Sequence, residues 1–124
     1  MRPWSLVVAA GIVAAEGLVA LGLGAYALIG TLAGEATETT AALAEAAFGL
    51  LVGAGLIWVA VGGLLRAERW GRAPGVLTQI FLIPVSVTVM QSGWPAIGVP
   101  LLAAAIAGLG TLLAPPTTKA LYGD

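Results

Sequence analysis

The chain has 124 residues, of which 60% are hydrophobic and 9% charged, with a formal net charge of −1 and a mean hydropathy of +1.04. A soluble domain is about 45–50% apolar and about 25% charged, and a short chain buries only part of its surface. These figures exclude a soluble globular domain, a disordered tail and a nucleic-acid binder, and they leave an integral membrane protein whose first partner is the lipid bilayer.

The sequence contains no Cys and no His. That removes disulfides, thiolate nucleophiles, iron–sulfur and imidazole metal sites, and a histidine base. No D-x-D-x-D-G calcium loop is present. With no convergent acid, base and nucleophile, no catalytic residue, metal or cofactor is expected, and the chain reads as a non-enzyme. The abundance of Ala and Gly, with four Arg to one Lys, suits a GC-rich bacterial genome and a multi-pass protein of the cell (inner) membrane.

Four apolar runs follow one another: Ser5 to Ala33, Ala41 to Leu65, Val76 to Met90 and Ala96 to Ala114. A bilayer core of ~30 Å needs about 20 helical residues, and an isolated strand cannot satisfy its backbone in lipid. The expected fold is therefore all-α: a single polytopic four-helix transmembrane bundle of two consecutive hairpins. Its helices are predicted at about 5–33, 41–66, 74–91 and 95–114.

The first helix begins after Met1-Arg2. Ala25-Tyr26-Ala27 mimics a signal cleavage site, but the apolar stretch before it is too long for a signal h-region, so the helix is expected to be retained. Glu16 interrupts it 12 positions beyond Trp4, or ~18 Å deep at ~1.5 Å per residue. An ionisable side chain at that depth is costly and marks a candidate functional site. It is expected to be neutral unless paired or hydrated. The first turn carries Glu35 and Glu38, and Glu45 follows in the second helix. Together they form an acidic outer cluster that either concentrates cations or simply suits the positive end of a helix. Thr39 or Thr40 is a candidate cap for the second helix.

Trp58 lies in the inner half of the second helix. It is expected to pack against a neighbour, or else to offer an aromatic wall for a cationic ligand beside Glu16. Arg66, Arg69 and Arg72 fill the next connection, with Gly71 as a plausible helix stop, and Pro74 fits the first turn of the third helix. Gln79 lies nine positions beyond Trp70, or ~14 Å deep by the same rise, with Thr78 adjacent. The depths predict that Glu16 bonds across the bundle to Gln79 or Thr78. Pro84 is a candidate hinge in the third helix, with Ser86 and Thr88 available to bond the backbone it frees. Pro95 opens the fourth helix and Pro115-Pro116 ends it.

Small-x-x-x-small pairs recur at Gly30 and Gly34, Gly49 and Gly53, and Ala104 and Gly108. They are candidate helix-packing stripes within the chain or contacts between copies in a homo-oligomer or larger membrane complex. The basic residues Arg2, Arg66, Arg69, Arg72 and Lys119 all fall on one side if both termini are cytoplasmic, because residues 34–40 and 91–95 contain none. The positive-inside rule therefore predicts that orientation, with the arginines setting it. They also face anionic headgroups.

Two resemblances follow from these residues. Ala14-Ala15-Glu16-Gly17, the Arg66 to Arg72 turn and Ala114-Pro115-Pro116 resemble uncharacterised small four-helix membrane proteins of actinobacterial type, a likeness that implies no established activity. A lone Glu in the first of four short helices also resembles the small multidrug resistance transporters, in which that Glu exchanges protons for cationic drugs. The third helix lacks that family's aromatic–glycine pattern, and the one-sided arginines differ from its dual insertion. The sequence thus yields two expectations. One is a structural or accessory membrane protein, in which Glu16 and Gln79 join helices. The other is a small proton-coupled transporter or conductance, in which Glu16, Gln79, Thr78 and Trp58 handle protons or substrate.

Overall fold

A computed structural model describes residues 3–35 and 37–123. Arg2 lies outside the described residues, as does Ala36 of the first turn. The chain is all-helical among the described residues. The elements are α1 (Trp4–Leu32), α2 (Thr39–Trp58), a π-helical continuation (Val59–Leu64), a 3-10 turn (Arg69–Gly71), α3 (Arg72–Gln91), α4 (Pro95–Leu113) and α5 (Pro115–Tyr122). Four helical stretches are long and apolar enough to cross a membrane: Trp4–Leu32, Thr39–Leu64, Arg69–Gln91 and Pro95–Leu113. Many of their large apolar side chains, including Leu18, Leu23, Phe48, Leu51 and Phe81, face outward. That distribution is what lipid contact requires, and the chain has the build of a multi-pass membrane protein.

The helices pair as two antiparallel hairpins, α1 on α2 and α3 on α4, and the hairpins meet mainly where α1 touches α4. Glycine permits each pairing. Gly24 lies against the backbone of Gly49, and Gly17 against Gly53, so closely that a Cβ on Gly53 would sit 2.6 Å from the Leu21 amide nitrogen. In the second hairpin Gly98 packs under Ser86 and Met90, Gly108 under Gln79, and Gly75 against Leu112. Without a hydrophobic drive between helices in lipid, such close backbone approach is a main source of association.

Within the chain, three of the predicted stripe positions lie off the closest helix contacts. Gly34 stands in the turn with φ +80° and open space around its Cα, so it reverses the chain rather than packing it. Gly30 makes no close helix contact; its nearest neighbour is the Glu35 carboxylate, 3.7 Å from where a Cβ would lie. In α4 the buried residues are Gly98, Ala105, Gly108 and Leu112, whereas Ala104 is half-buried. Only the side of α4 that meets α3 and α1 decides which small residue is covered.

Helix ends also differ in detail. Thr39 is the first residue of α2 and Glu38 precedes it, with no side-chain cap. The second span closes through a wide turn in which Leu65 N–H donates to the Ala60 carbonyl at 2.8 Å and Glu68 N–H to the Gly63 carbonyl at 2.8 Å. Ala67 takes the left-handed conformation there, φ 55°, so Gly71 is not the stop. Gly71 instead packs its Cα against Gly63. The third helix begins at Arg72 and runs through Pro84 to Gln91, and Ser86 Oγ returns a hydrogen bond to the Leu82 carbonyl at 2.6 Å. The prolines after α4 end it and also open α5, where they occupy the first helical positions. There their lack of an N–H costs nothing.

The interior is not evenly filled. Leu6, Ala9, Ala10 and Val13 of α1 meet Leu56, Val59, Ala60 and Leu64 of the second span, Leu112 of α4 and Leu121 of α5. This core occupies the half of the molecule that carries the arginines. Glu16 lies one helical turn past its end.

Candidate functional site

Three helices bring the candidate site together. α1 supplies Glu16, which is half-buried; α3 supplies Gln79, which is fully buried. Gln79 Nε2 donates to Glu16 Oε1 at 2.7 Å. α4 supplies the space: a Cβ on Gly108 would lie 2.8 Å from both Cδ and Oε1 of Gln79. Only a residue without a side chain leaves that amide its slot. Gly17, the residue after Glu16, packs against Gly53 and Ile57 of the second span, which fixes the height of Glu16 in the bundle.

The pair leaves two oxygens unsatisfied. Glu16 Oε2 and Gln79 Oε1 are both buried and have no hydrogen-bond partner among the described residues. A buried unpaired oxygen is costly. The two orphans are both acceptors while the carboxyl is ionised, and a proton on Oε2 turns one of them into a donor. The arrangement can therefore hold helices together, and it can also hold a proton.

Of the two partners proposed for Glu16, the structure pairs it with Gln79. Thr78 Oγ1 donates to the Pro74 carbonyl of its own helix at 2.7 Å, a bond that spends its only proton within α3. Trp58 is directed to the outside, 67% exposed, and its ring lies 4.9 Å from that of Trp70 at an angle of 44°. A Cβ on Gly62 would meet the Trp58 ring at 2.8 Å, so the indole lies along the helix surface toward the arginine end. Its neighbour is thus Trp70, and it forms no wall for Glu16.

At the opposite end Tyr26, Gly30 and Thr31 of α1 with Glu35 and Glu45 line an open cleft. Glu35, Glu38 and Glu45 are all exposed. Among the described residues no group of three or more acidic side chains is placed to hold a metal ion.

The element missing from the sequence reading is α5. Its Thr117 is buried and donates to the Thr111 carbonyl at 2.6 Å, which leaves Ser5 as the donor in the 2.6 Å Ser5–Thr117 contact. Leu121 is buried in the core. Tyr122 receives Arg69 and Arg72 over its ring, at 5.6 and 5.4 Å from the centroid. The amphipathic spacing of Thr117, Leu121 and Lys119 is the signal that was available in the sequence.

Against protein-family profiles, curated proteins and solved structures, the chain has no match in any of the three comparisons.

Proposed function

We propose that this chain is a non-enzymatic structural or accessory protein of a bacterial cell membrane, threaded with both termini in the cytoplasm. The observation that carries the reading is the bond from Gln79 Nε2 to Glu16 Oε1, made in a slot that Gly108 leaves free. A carboxyl group bonded to a buried amide joins the two hairpins. The neutral acid is the state that suits it: its hydroxyl can return a bond to Gln79 Oε1, giving a two-bond acid–amide ring and leaving no orphan. Self-association, or docking onto a larger membrane complex, belongs to the same reading. Gly22 and Gly55 have open space where a Cβ would project, so another helix can approach there.

A second reading is kept by one observation. Glu16 Oε2 has no protein partner, so a proton can come and go at that atom without breaking the bond made by Oε1. A proton-coupled transporter or conductance would use it. Reconstitution of the native chain and of Glu16→Gln into liposomes holding a pH-sensitive dye decides between the two. The structural reading expects no proton flux from either protein under an imposed pH gradient. Flux through the native chain that Glu16→Gln abolishes would replace it with the transport reading.

A further inference from the structure

Among the described residues, the cations at the arginine end of the molecule make no ion pair. Arg69 and Arg72 stand over one ring, that of Tyr122. Arg69 is held there by a second contact, Nε donating to the Leu121 carbonyl at 3.3 Å. Arg66 is exposed in the same connection, and Lys119 is exposed on α5. The carboxylate nearest in sequence is Glu68, also exposed, and among the described residues neither Arg69 nor Arg72 is ion-paired. Asp124 lies outside the described residues. Two guanidiniums fixed at one ring repel each other, and a shared anion removes that cost.

The same end of the molecule exposes an aromatic pair. Trp70 lies between the two arginines in sequence and stacks with Trp58. Both indoles are exposed, as is Val61. The rings lie over glycine: Gly62 under Trp58, and Gly63 within 3.1 Å of the Trp70 ring from where its Cβ would be. This end of the molecule thus carries both held cations and an exposed aromatic surface.

We propose that this end of the protein is a seat for one anionic phospholipid. Its phosphate lies between the guanidiniums of Arg69 and Arg72, and its upper acyl chain covers the Trp58–Trp70 pair. A soluble phosphate satisfies the arginines but leaves the indoles bare, so the lipid is the occupant that fits both halves. Tyr122 and the Leu121 carbonyl hold Arg69 in place beforehand, which lowers the ordering cost of binding. The proposal does not depend on the role of Glu16.

The two tryptophans serve as probes. The full chain carrying Trp4→Phe and Trp94→Phe is reconstituted in phosphatidylcholine vesicles doped with the same small fraction of either brominated phosphatidylglycerol or brominated phosphatidylcholine. Bromine quenches only nearby indoles. The anionic lipid is expected to gather about thirtyfold over its bulk fraction at the rings, from the attraction of two arginines, and so to quench far more strongly. Arg69→Gln with Arg72→Gln is expected to bring the two lipids to equal quenching, and added inorganic phosphate is expected to leave the native preference intact. Equal quenching by both lipids in the unsubstituted arginine background overturns the proposal without reference to any arginine variant. So does a preference that survives the double substitution, or one that inorganic phosphate erases.

Discussion

Gly108 of α4 faces the Gln79 amide of α3 so closely that a Cβ would lie 2.8 Å from the amide carbon. This contact connects packing to the polar site. Gln79 reaches Glu16 on α1 by passing over α4 at Gly108, where there is no side chain in its way. The Glu16–Gln79 bond is therefore a property of three helices, although two residues make it.

Substitution of Gly108 tests this directly. Gly108→Ala is expected to displace Gln79 and cost about 1–3 kcal/mol, the usual range for overpacking a filled interior. Gly110, two residues on, has nothing within 4 Å of its Cβ position, and Gly110→Ala is expected to be neutral or to stabilise by up to about 1 kcal/mol through helix propensity. Unfolding in detergent, followed by circular dichroism, measures both. Equal effects at the two positions would show that the slot has no energetic meaning.

The pair itself is measured by a double-mutant cycle. Glu16→Leu and Gln79→Leu are each expected to destabilise, with a coupling of about 0.6–2 kcal/mol, as found for hydrogen bonds between membrane helices. Glu16→Gln is expected to be at least as stable as the native chain. Its amide keeps the acceptor for Gln79 Nε2 and supplies a donor for Gln79 Oε1, in the place of the hydroxyl of the neutral acid. Additive single effects, or a Glu16→Gln protein as weak as Glu16→Leu, would count against the clamp.

Much of this architecture is legible in the sequence because lipid imposes simple rules. The four spans follow from run length and hydropathy, and the depths of Glu16 and Gln79 follow from a fixed rise per residue. Azimuth is harder. Depth arithmetic says that two residues share a level, but it does not say which side of a helix faces its neighbour. For that reason Gly17 and Gly24 on α1, rather than Gly30 and Gly34, turn out to receive α2. For the same reason Trp58 faces outward to Trp70 rather than toward Glu16. In helices apolar on all sides, periodicity carries little information about orientation. The π-helical turn at Val59–Leu64 shifts the phase again and leaves no mark in composition. A proline pair reads as a helix end, which hid the start of α5.

The α1–α2 interface separates real packing glycines from apparent ones. A Cβ on Gly53 meets backbone atoms, Leu21 N at 2.6 Å and Gly17 O at 2.7 Å, whereas one on Gly30 meets only a flexible carboxylate at 3.7 Å. Gly53→Ala is therefore expected to push the helices apart and cost about 1–3 kcal/mol. Gly30→Ala is expected to be neutral or to stabilise by up to about 1 kcal/mol through helix propensity. Thermal unfolding of the two variants checks the contrast, and a reversed order would overturn the assignment of the interface.

The C-terminal helix makes a separate, local prediction. It has eight residues, too few to be stable alone in water, so its structure depends on being docked. Docking rests on Thr117, whose hydroxyl donates to Thr111 and accepts from Ser5, and on Leu121 in the core. Thr117→Val keeps the shape but removes both bonds and leaves the Ser5 hydroxyl buried without its partner, a loss of about 1–3 kcal/mol. Because the four spans do not need α5 to remain inserted, that loss is expected to appear as local opening. Amide hydrogen exchange in 117–122 should accelerate roughly fivefold or more, following from that free energy, while amides around Gly53 and Gln79 keep their protection. Uniform loss of protection along the chain would mean that α5 is part of the common core rather than a strap across its end.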